Sequence, residues 1–394
     1  MNKKRLCYML RSRYPETFGI RKKLQGLKVK RLYNYVLSQN VILECERDAS
    51  KKKAAIKPYL IKWSKKLIPT IKEMEDILDN SPIYKNRLDK DDLRTDIMFC
   101  KLAYGFLPSE YIGFGLEDKS PEERKEYISD IDTNVFGYLV NNIRILQGYL
   151  DKGECAKHFN GLFKREFIIV KTVRDYQVFV NFVNKHPIFV EKKVFSGMGK
   201  GTRLVNINEI GMDKKDYFKM LVKGDKYLLE ELVIQRTEMA KFNESSVNTV
   251  RCITFKTRNG VEVPYSFMRT GRKGAFVDNG GSGGLLIGID VITGKLCTDG
   301  YDEYGSRYES HPDSGIVFKE YQIPKWMELV ELCKGAAKKE REIGYLSWDL
   351  AYTENGWIVI EVNEVGQLIG PQIVLRKGIK SELKKYFQNM ESVI

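Results

Sequence analysis

The sequence has few of the side chains on which disulfide frameworks and zinc sites depend. Its seven cysteines are scattered, odd in number and never spaced as CxxC, and its three histidines lie far apart. This pattern favours reduced thiols in a cytosolic protein and argues against a zinc site. Low-complexity tracts are absent, so 394 residues with 43% hydrophobic content indicate a folded protein of about two or three domains.

Two further absences concern membranes. Residues 1–8, MNKKRLCY, lack an apolar stretch of signal-peptide length, and no apolar run reaches the length of a bilayer-spanning helix. We therefore expect a cytoplasmic protein, with any membrane contact peripheral to the inner face.

The basic charge is concentrated at one end of the sequence. Residues 1–72 contain 20 Lys and Arg against 4 Asp and Glu, whereas the whole chain has a net charge of +14, so the remainder carries a net charge of −2. A segment of this kind suits an anionic membrane or an acidic polymer, and a solvated helical face is the plainer interpretation. No RNA- or DNA-reading motif is present, so nucleic acid is not an expected partner.

The order of predicted elements indicates an α+β protein. Residues 1–75 and 76–150 have helical periodicity, and the first of these stretches is basic. From about residue 155 short β-rich runs appear, and Asn259-Gly260 is a turn signal between two of them. Helices combined with mostly antiparallel strands are typical of the α+β class.

A lysine followed by a glycine-rich loop, KVFSGMGKG, begins at Lys193. Such a loop can approach a triphosphate closely and direct its N–H groups at the anion, while a lysine on the preceding strand neutralises charge. The pattern is not a Walker A loop, since GxxxxGK[ST] is absent. An ordinary turn is the alternative, and Lys200 is either a second phosphate contact or solvated. The candidate loop residues are Ser196, Gly197, Gly199, Lys200 and Gly201.

Two predicted strands near the end of the sequence carry acidic side chains. Glu361 and Asn363 project to the same side of one strand, and Asp349 can meet them from the neighbouring strand of a hairpin. Two carboxylates and an amide oxygen suit Mg²⁺. A surface hairpin with exposed acids is the alternative, but the apolar neighbours of Asp349 and Glu361 make unpaired acids costly there.

The order of these segments resembles the ATP-grasp superfamily from about residue 155 to 375. More specific segments resemble its sugar-transfer-associated branch: SVNTVR at 246–251, RTG at 269–271, DNGGSGG at 278–284, WDLA at 348–351 and EVN at 361–363. The resemblance implies an ATP-grasp fold of two α+β lobes, nucleotide-binding at 151–233 and catalytic and metal-binding at 234–394, preceded by the helical, basic region.

The resemblance also implies roles for individual residues. Lys157 matches the first nucleotide-contacting lysine, and Lys193 matches the lysine that reaches the α- and β-phosphates. Glu238 matches the acid that holds the ribose, and Arg251 and Arg269 match arginines near the reacting carboxylate or phosphate. The magnesium ligands would be Asp349, Glu361 and Asn363. The hinge that reads adenine through backbone groups would be formed by Glu230, Glu231, Leu232 and Val233.

Three departures from the family pattern stand out. Val194 follows the lysine where proline is common, Met198 replaces a small residue, and helices stand where relatives carry an α/β domain. The acceptor site therefore does not carry over from relatives.

The function that the resemblance implies is an ATP- and Mg²⁺-dependent carboxylate–amine ligase. It would act through an acylphosphate in surface-polysaccharide or sugar-conjugate biosynthesis, on a small or sugar-linked carboxylate and an amine. A phosphotransferase acting on a hydroxyl and a noncatalytic scaffold with a basic docking region are the alternatives.

Overall fold

The computed structural model describes residues 37–195, 201–224, 226–278, 283–363, 366 and 368–390. Helices occupy the described chain up to residue 163, and strands begin only after it. These helices are α1 (Gln39–Arg47), α2 (Lys52–Lys62), α3 (Ser64–Asn80), α4 (Lys90–Tyr104), α5 (Pro108–Phe114), α6 (Pro121–Glu126), α7 (Asp130–Val140), α8 (Ile143–Leu150), α9 (Lys152–His158) and α10 (Asn160–Phe163).

Helices α1 to α5 pack around an apolar core of their own, in which Leu78 and Phe114 are fully buried. At its edge, Asp96 of α4 accepts a hydrogen bond from Lys52 Nζ at 2.6 Å and pairs with Arg124 Nη2 at 2.8 Å. A partly buried carboxylate with cations on two sides is electrostatically satisfied. The charged cluster therefore connects α2, α4 and α6 without leaving an unpaired charge at Asp96.

A four-stranded antiparallel sheet follows, with strand order β1–β4–β2–β3. Its elements are β1 (Phe167–Val170), α11 (Tyr176–Lys185), β2 (Ile188–Lys193), β3 (Thr202–Asn206), α12 (Lys214–Lys223) and β4 (Tyr227–Glu231). Phe189 and Leu229 pack with α11 and α12 on one face. Because side chains alternate along a strand, Lys192, Leu228 and Glu230 lie on the opposite face.

A seven-stranded antiparallel sheet forms the second layer, with strand order β11–β10–β5–β6–β7–β8–β9. Its strands are β5 (Thr249–Thr257), β6 (Gly260–Thr270), β7 (Leu285–Ile289), β8 (Leu296–Tyr301), β9 (Arg307–Tyr308), β10 (Tyr345–Thr353) and β11 (Gly356–Asn363). The helices of this part are α13 (Thr237–Ala240), α14 (Trp326–Lys339), α15 (Ile369–Leu375) and α16 (Lys380–Asn389).

The two faces of the seven-stranded sheet have different coverings. On one face Cys252 and Trp348 pack with α14. On the other, Phe255 contacts Phe136 of helix α7 with ring centroids 5.6 Å apart. Gln372 of α15 exchanges two hydrogen bonds with the backbone of Ile128, at 2.8 and 3.0 Å. The N-terminal helical region therefore packs against this second face.

The predicted fold class is confirmed: helices and antiparallel strands are mixed, and a helical region precedes both sheets. The predicted turn at Asn259-Gly260 joins β5 to β6, with Gly260 in a positive-φ conformation at +114°. The division into domains at residues 75, 150 and 233 stays a prediction.

Candidate active site

The centre of the candidate site is a buried ion pair between neighbouring strands. Asp349 of β10 lies directly opposite Arg251 of β5. Arg251 donates through Nε and Nη2 to the two carboxylate oxygens of Asp349 at 2.6 and 2.7 Å. Burial alone would raise the pKa of Asp349, but Arg251 and Arg269 outweigh it and hold the pKa at about 2. Asp349 is therefore ionised near neutral pH.

Arg269 of β6 extends the ion pair into a cluster. Its Nη2 donates to Asp349 at 3.0 Å and lies 3.6 Å from Asp278, while its Nε donates to the Thr249 hydroxyl at 3.0 Å. The Thr249 hydroxyl in turn donates to Asp278 at 2.5 Å. Burial raises the pKa of Asp278. The cluster thus holds two guanidinium groups side by side on the sheet face against which the helical region packs.

The three predicted metal ligands come together as the hairpin interpretation expects. Asp349 and Glu361 are opposite one another in β10 and β11, and Asn363 Nδ2 donates to Asp349 at 3.3 Å. Glu361 also forms an ion pair with Lys152 of α9. Burial would raise the pKa of Glu361, but Lys152 and Lys192 together outweigh it and lower the pKa. In the described part of the chain, no group of three His, Cys, Asp or Glu side chains is arranged around a common metal position.

The donor set fits Mg²⁺ by its chemistry. Two carboxylates and one amide oxygen are hard ligands, and Mg²⁺ uses few protein ligands because it keeps waters and substrate phosphates. In the structure, cationic side chains neutralise both acids, so the local charge is already balanced. A divalent cation bound here would share the Glu361 carboxylate with Lys152 or would replace Lys152 as its partner.

A pocket opens between the two sheets beside this hairpin. Lys152 and Lys192 line it together with Leu228, Glu230 and Glu361. Glu230 pairs with Lys192 Nζ at 2.5 Å and with Arg165 Nη2 at 2.9 Å. Burial would raise the pKa of Glu230, but these two cations lower it to about 2. The pocket therefore brings two lysine ammonium groups together with two ionised carboxylates.

The structure places the two lysines expected from the sequence outside this pocket. Lys193 lies on β2 as predicted, but on the face opposite Lys192, and its side-chain stem lies beside Gly201. Lys157 is on the solvent side of α9 with 57% of its side chain exposed, paired with Glu154 at 3.3 Å. Lys152 and Lys192, which the sequence did not single out, are the lysines that line the pocket.

For Lys192 the sequence holds part of the information. Strand alternation in EKKV places Lys192 and Lys193 on different faces of the strand, but the preceding residues Phe189 and Val190 are both apolar, so they do not show which face borders the cleft. For Lys152, at the start of a short helix, no spacing in the sequence pointed to Glu361.

The family model for sugar-transfer-associated ATP-grasp proteins matches residues 164–388, which is 225 of the 394 residues. This chain belongs to the sugar-transfer-associated ATP-grasp family. Members of the ATP-grasp superfamily include ligases that use ATP, typically with Mg²⁺. No curated protein matched the sequence.

Solved ATP-grasp ligases resemble this ATP-grasp chain at low identity. Phosphoribosylamine–glycine ligase from Thermotoga maritima is 12% identical with a TM-score of 0.41, covering 64% of this chain and 58% of its own. D-Alanine–D-alanine ligase from Helicobacter pylori is 12% identical with a TM-score of 0.40, covering 66% and 68%. The ATP-grasp ligase PsnB with its minimal precursor, Mg and ADP is 13% identical with a TM-score of 0.39, covering 79% and 75%.

The predicted ATP-grasp hinge lies where the chain passes from one sheet to the other. Glu231 ends β4, where its N–H donates to Glu166 O at 2.9 Å. Leu232 and Val233 follow without regular structure, and Gln235 bridges to Thr353 of the second sheet. Glu238 is in α13, half-exposed, with Arg236 Nε 3.3 Å from its carboxylate.

The predicted phosphate loop is only partly described. Ser196, Gly197, Gly199 and Lys200 lie outside the described residues, as do residues 279–282 of the second glycine-rich segment. Gly201 has φ of +78°, a conformation that favours glycine, and a Cβ there would lie 3.1 Å from the Lys193 stem. Both the backbone conformation and the close side-chain contact therefore favour glycine at this position. None of the helices in the described residues is long and apolar enough to cross a membrane.

Proposed function

We propose that this protein is an ATP-dependent carboxylate–amine ligase that acts through an acylphosphate, in surface-polysaccharide or sugar-conjugate biosynthesis. The main support is the arrangement of Arg251 and Arg269 beside Asp349, next to a lysine-lined pocket between two sheets. Membership of the ATP-grasp family supports the use of ATP.

In this proposal ATP occupies the pocket between the sheets. Lys152 and Lys192 contact its phosphates in place of Lys157 and Lys193, because the first two line the pocket and the second two do not. The hinge Glu230–Val233 reads adenine, Glu238 holds the ribose, and the loop at 196–201 covers the phosphates. These lysines already lie away from water and close to carboxylates. The additional desolvation cost is therefore small when a phosphate oxygen replaces a carboxylate oxygen as their partner.

Asp349, Glu361 and Asn363 would hold Mg²⁺. When bound, the ion would neutralise charge on the outer phosphates. The ion pair of Lys152 with Glu361 suggests how the site keeps its charge balanced without the ion, since Glu361 would otherwise lie unpaired in a partly buried position.

The chemistry proceeds in two steps. A substrate carboxylate oxygen attacks the γ-phosphorus of ATP, a P–O bond forms, and ADP leaves with the electrons of the broken P–O bond. An amine then attacks the acyl carbon, phosphate leaves, and the amine loses a proton to give an amide. The contacts of Arg251 and Arg269 in the described residues use Nε and Nη2, so we assign their Nη1 groups to the substrate carboxylate and transferring phosphoryl group.

A trapping experiment tests this function. The full chain is incubated with Mg²⁺, ATP and a panel of uronic acids and other carboxylates, and ADP is measured with and without hydroxylamine. A ligase yields a hydroxamate of one acid and ADP that depends on that acid. A phosphorylated product that is stable to hydroxylamine would establish the phosphotransferase instead. The same protein is also heated with and without Mg²⁺ and ATP, and an unchanged melting temperature would favour the scaffold.

A further inference from the structure

The surface of helix α2 and of the first half of helix α3, up to Lys72, carries charge of one sign. Residues 49–72 contain eight lysines and neither aspartate nor glutamate. Lys52 faces inward to Asp96, and the other seven are exposed. Within the described chain, Lys51 reaches Glu44 only at 3.9 Å and Lys66 lies over the Trp63 ring at 5.7 Å. The surface therefore has a strong positive potential with little internal compensation.

Exposed isoleucines interrupt these lysines on the same helical face. Lys57 and Ile61 are four residues apart on α2, and Lys65, Ile68 and Lys72 follow at spacings of three and four on α3. The exposed fractions of Ile61 and Ile68 are 70% and 60%. We refer to these five residues as the lysine–isoleucine surface.

The two helices present this surface almost continuously. Trp63 N–H donates to Tyr59 O at 2.8 Å, and Leu67 N–H donates to Trp63 O at 3.0 Å, so helical hydrogen bonds run through the joint. Leu67 and Met74 point the other way into the helical core. Ile61 and Ile68 are thus exposed because the buried faces of their helices are formed by other residues, Ile56 in α2 and Leu67 and Met74 in α3.

We propose that the lysine–isoleucine surface docks this protein on an anionic lipid bilayer. Lysines are attracted to anionic headgroups, and isoleucines between them gain by entering the headgroup–acyl boundary. A soluble acidic polymer would match the lysines equally well but would give Ile61 and Ile68 no apolar environment. Residues 1–36 add eleven Lys and Arg and one Glu to the same end of the sequence, a charge that also favours an anionic partner.

Vesicle co-sedimentation tests the docking. The full chain is mixed with vesicles of pure phosphatidylcholine and with vesicles containing phosphatidylglycerol, and it should bind only the second. The double variant Lys57→Glu/Lys65→Glu should lower the partition coefficient by at least about tenfold, and Ile61→Ser/Ile68→Ser by about tenfold. Matched controls are Lys171→Glu/Lys215→Glu, with the same charge change at other exposed lysines, and Ile292→Ser at an isoleucine that is 84% exposed.

The outcomes separate the proposal from its rivals. The controls should bind as the wild type does, and circular dichroism should be unchanged in the surface variants. Failure of the wild type to bind anionic vesicles overturns the proposal, as does equal loss in the control lysine variant. If only the lysine variant loses binding, while the isoleucine variant binds both vesicles and soluble polyphosphate like the wild type, the surface recognises polyanions and the bilayer is excluded as its specific partner. ATP turnover is expected to be the same in all these variants, since none is a residue of the proposed site.

Discussion

Arg251 and Asp349 face each other across two neighbouring strands and share two hydrogen bonds of 2.6 and 2.7 Å, both side chains being almost completely buried. The pair therefore serves stability as well as the proposed chemistry. A second cation, Arg269, contacts the same carboxylate, so Asp349 is the common anion of two guanidinium groups.

Replacing Asp349 with Asn should destabilise the fold by roughly 3 kcal/mol, because it leaves the buried Arg251 guanidinium without its anion and leaves Arg269 with Asp278 alone. Urea denaturation followed by circular dichroism measures this. The control Arg236→Gln removes an exposed cation paired with Glu238, and its denaturation midpoint should equal that of the wild type. Equal midpoints for all three proteins would contradict the burial argument.

The neighbouring lysines of β2 should differ in their effect on nucleotide binding. Lys192→Ala should abolish the rise in melting temperature that Mg²⁺ and ATP produce, because Lys192 lines the pocket, whereas Lys193→Ala on the opposite face should keep it. Thermal unfolding with and without nucleotide measures both. Loss of the rise in Lys193→Ala alone would restore the role expected from the sequence.

A similar comparison applies to α9. Lys152→Ala should weaken the nucleotide-dependent rise in melting temperature, since Lys152 lies in the pocket beside Glu361. Lys157→Ala removes an exposed lysine from the same helix and should have no effect. The assignment would be contradicted by a nucleotide-dependent rise in melting temperature that persists in Lys152→Ala and disappears in Lys157→Ala.

Glu361→Gln should lower ATP turnover by about 100-fold or more while leaving the fold intact, because it removes one of two predicted carboxylate ligands of Mg²⁺. Steady-state ADP release at several Mg²⁺ concentrations measures the effect. Glu331→Gln, at an exposed acid of α14, is the control and should be fully active. Full activity in Glu361→Gln would remove Glu361 from the metal site.

Glu110 should make stability depend on pH. It is buried, and although its carboxylate accepts hydrogen bonds from Leu107 and Asp130 N–H at 2.7 and 2.5 Å, burial dominates and raises its pKa to about 7. As pH rises from about 4.5 to about 7, the unfolded chain ionises Glu110 before the folded one does. The free energy of unfolding should therefore fall across that window, by at most about 3 kcal/mol. The stabilisation due to protonated Glu110 is fully present below about pH 4.5 and is lost as pH rises through about 7.

The measurement is urea denaturation between pH 4.5 and 8 of the wild type, Glu110→Gln and the exposed control Glu209→Gln. The difference between wild type and Glu110→Gln should change with pH, while the control should run parallel to the wild type. A constant difference for Glu110→Gln would show that the folded protein accommodates the charge without cost.

Much of the fold was predictable because it depends on local patterns. Apolar periodicity predicted the helical first part and the strands that follow, and Asn259-Gly260 marked a hairpin turn that the structure contains. The acidic hairpin was predictable for the same reason, since alternation and the turn at 354–356 bring Asp349, Glu361 and Asn363 together within one contiguous segment.

The sequence by itself therefore determined the class of fold, the family and the acidic hairpin, all of which follow from spacing along one stretch of chain. Only the tertiary structure decided which lysines face the pocket. The side of β2 that becomes the cleft is the side that α11 and α12 leave uncovered, so Lys192 enters it and Lys193 does not. Lys152 reaches Glu361 across 209 residues, and a contact of that range arises from packing of separate elements, which no local spacing records.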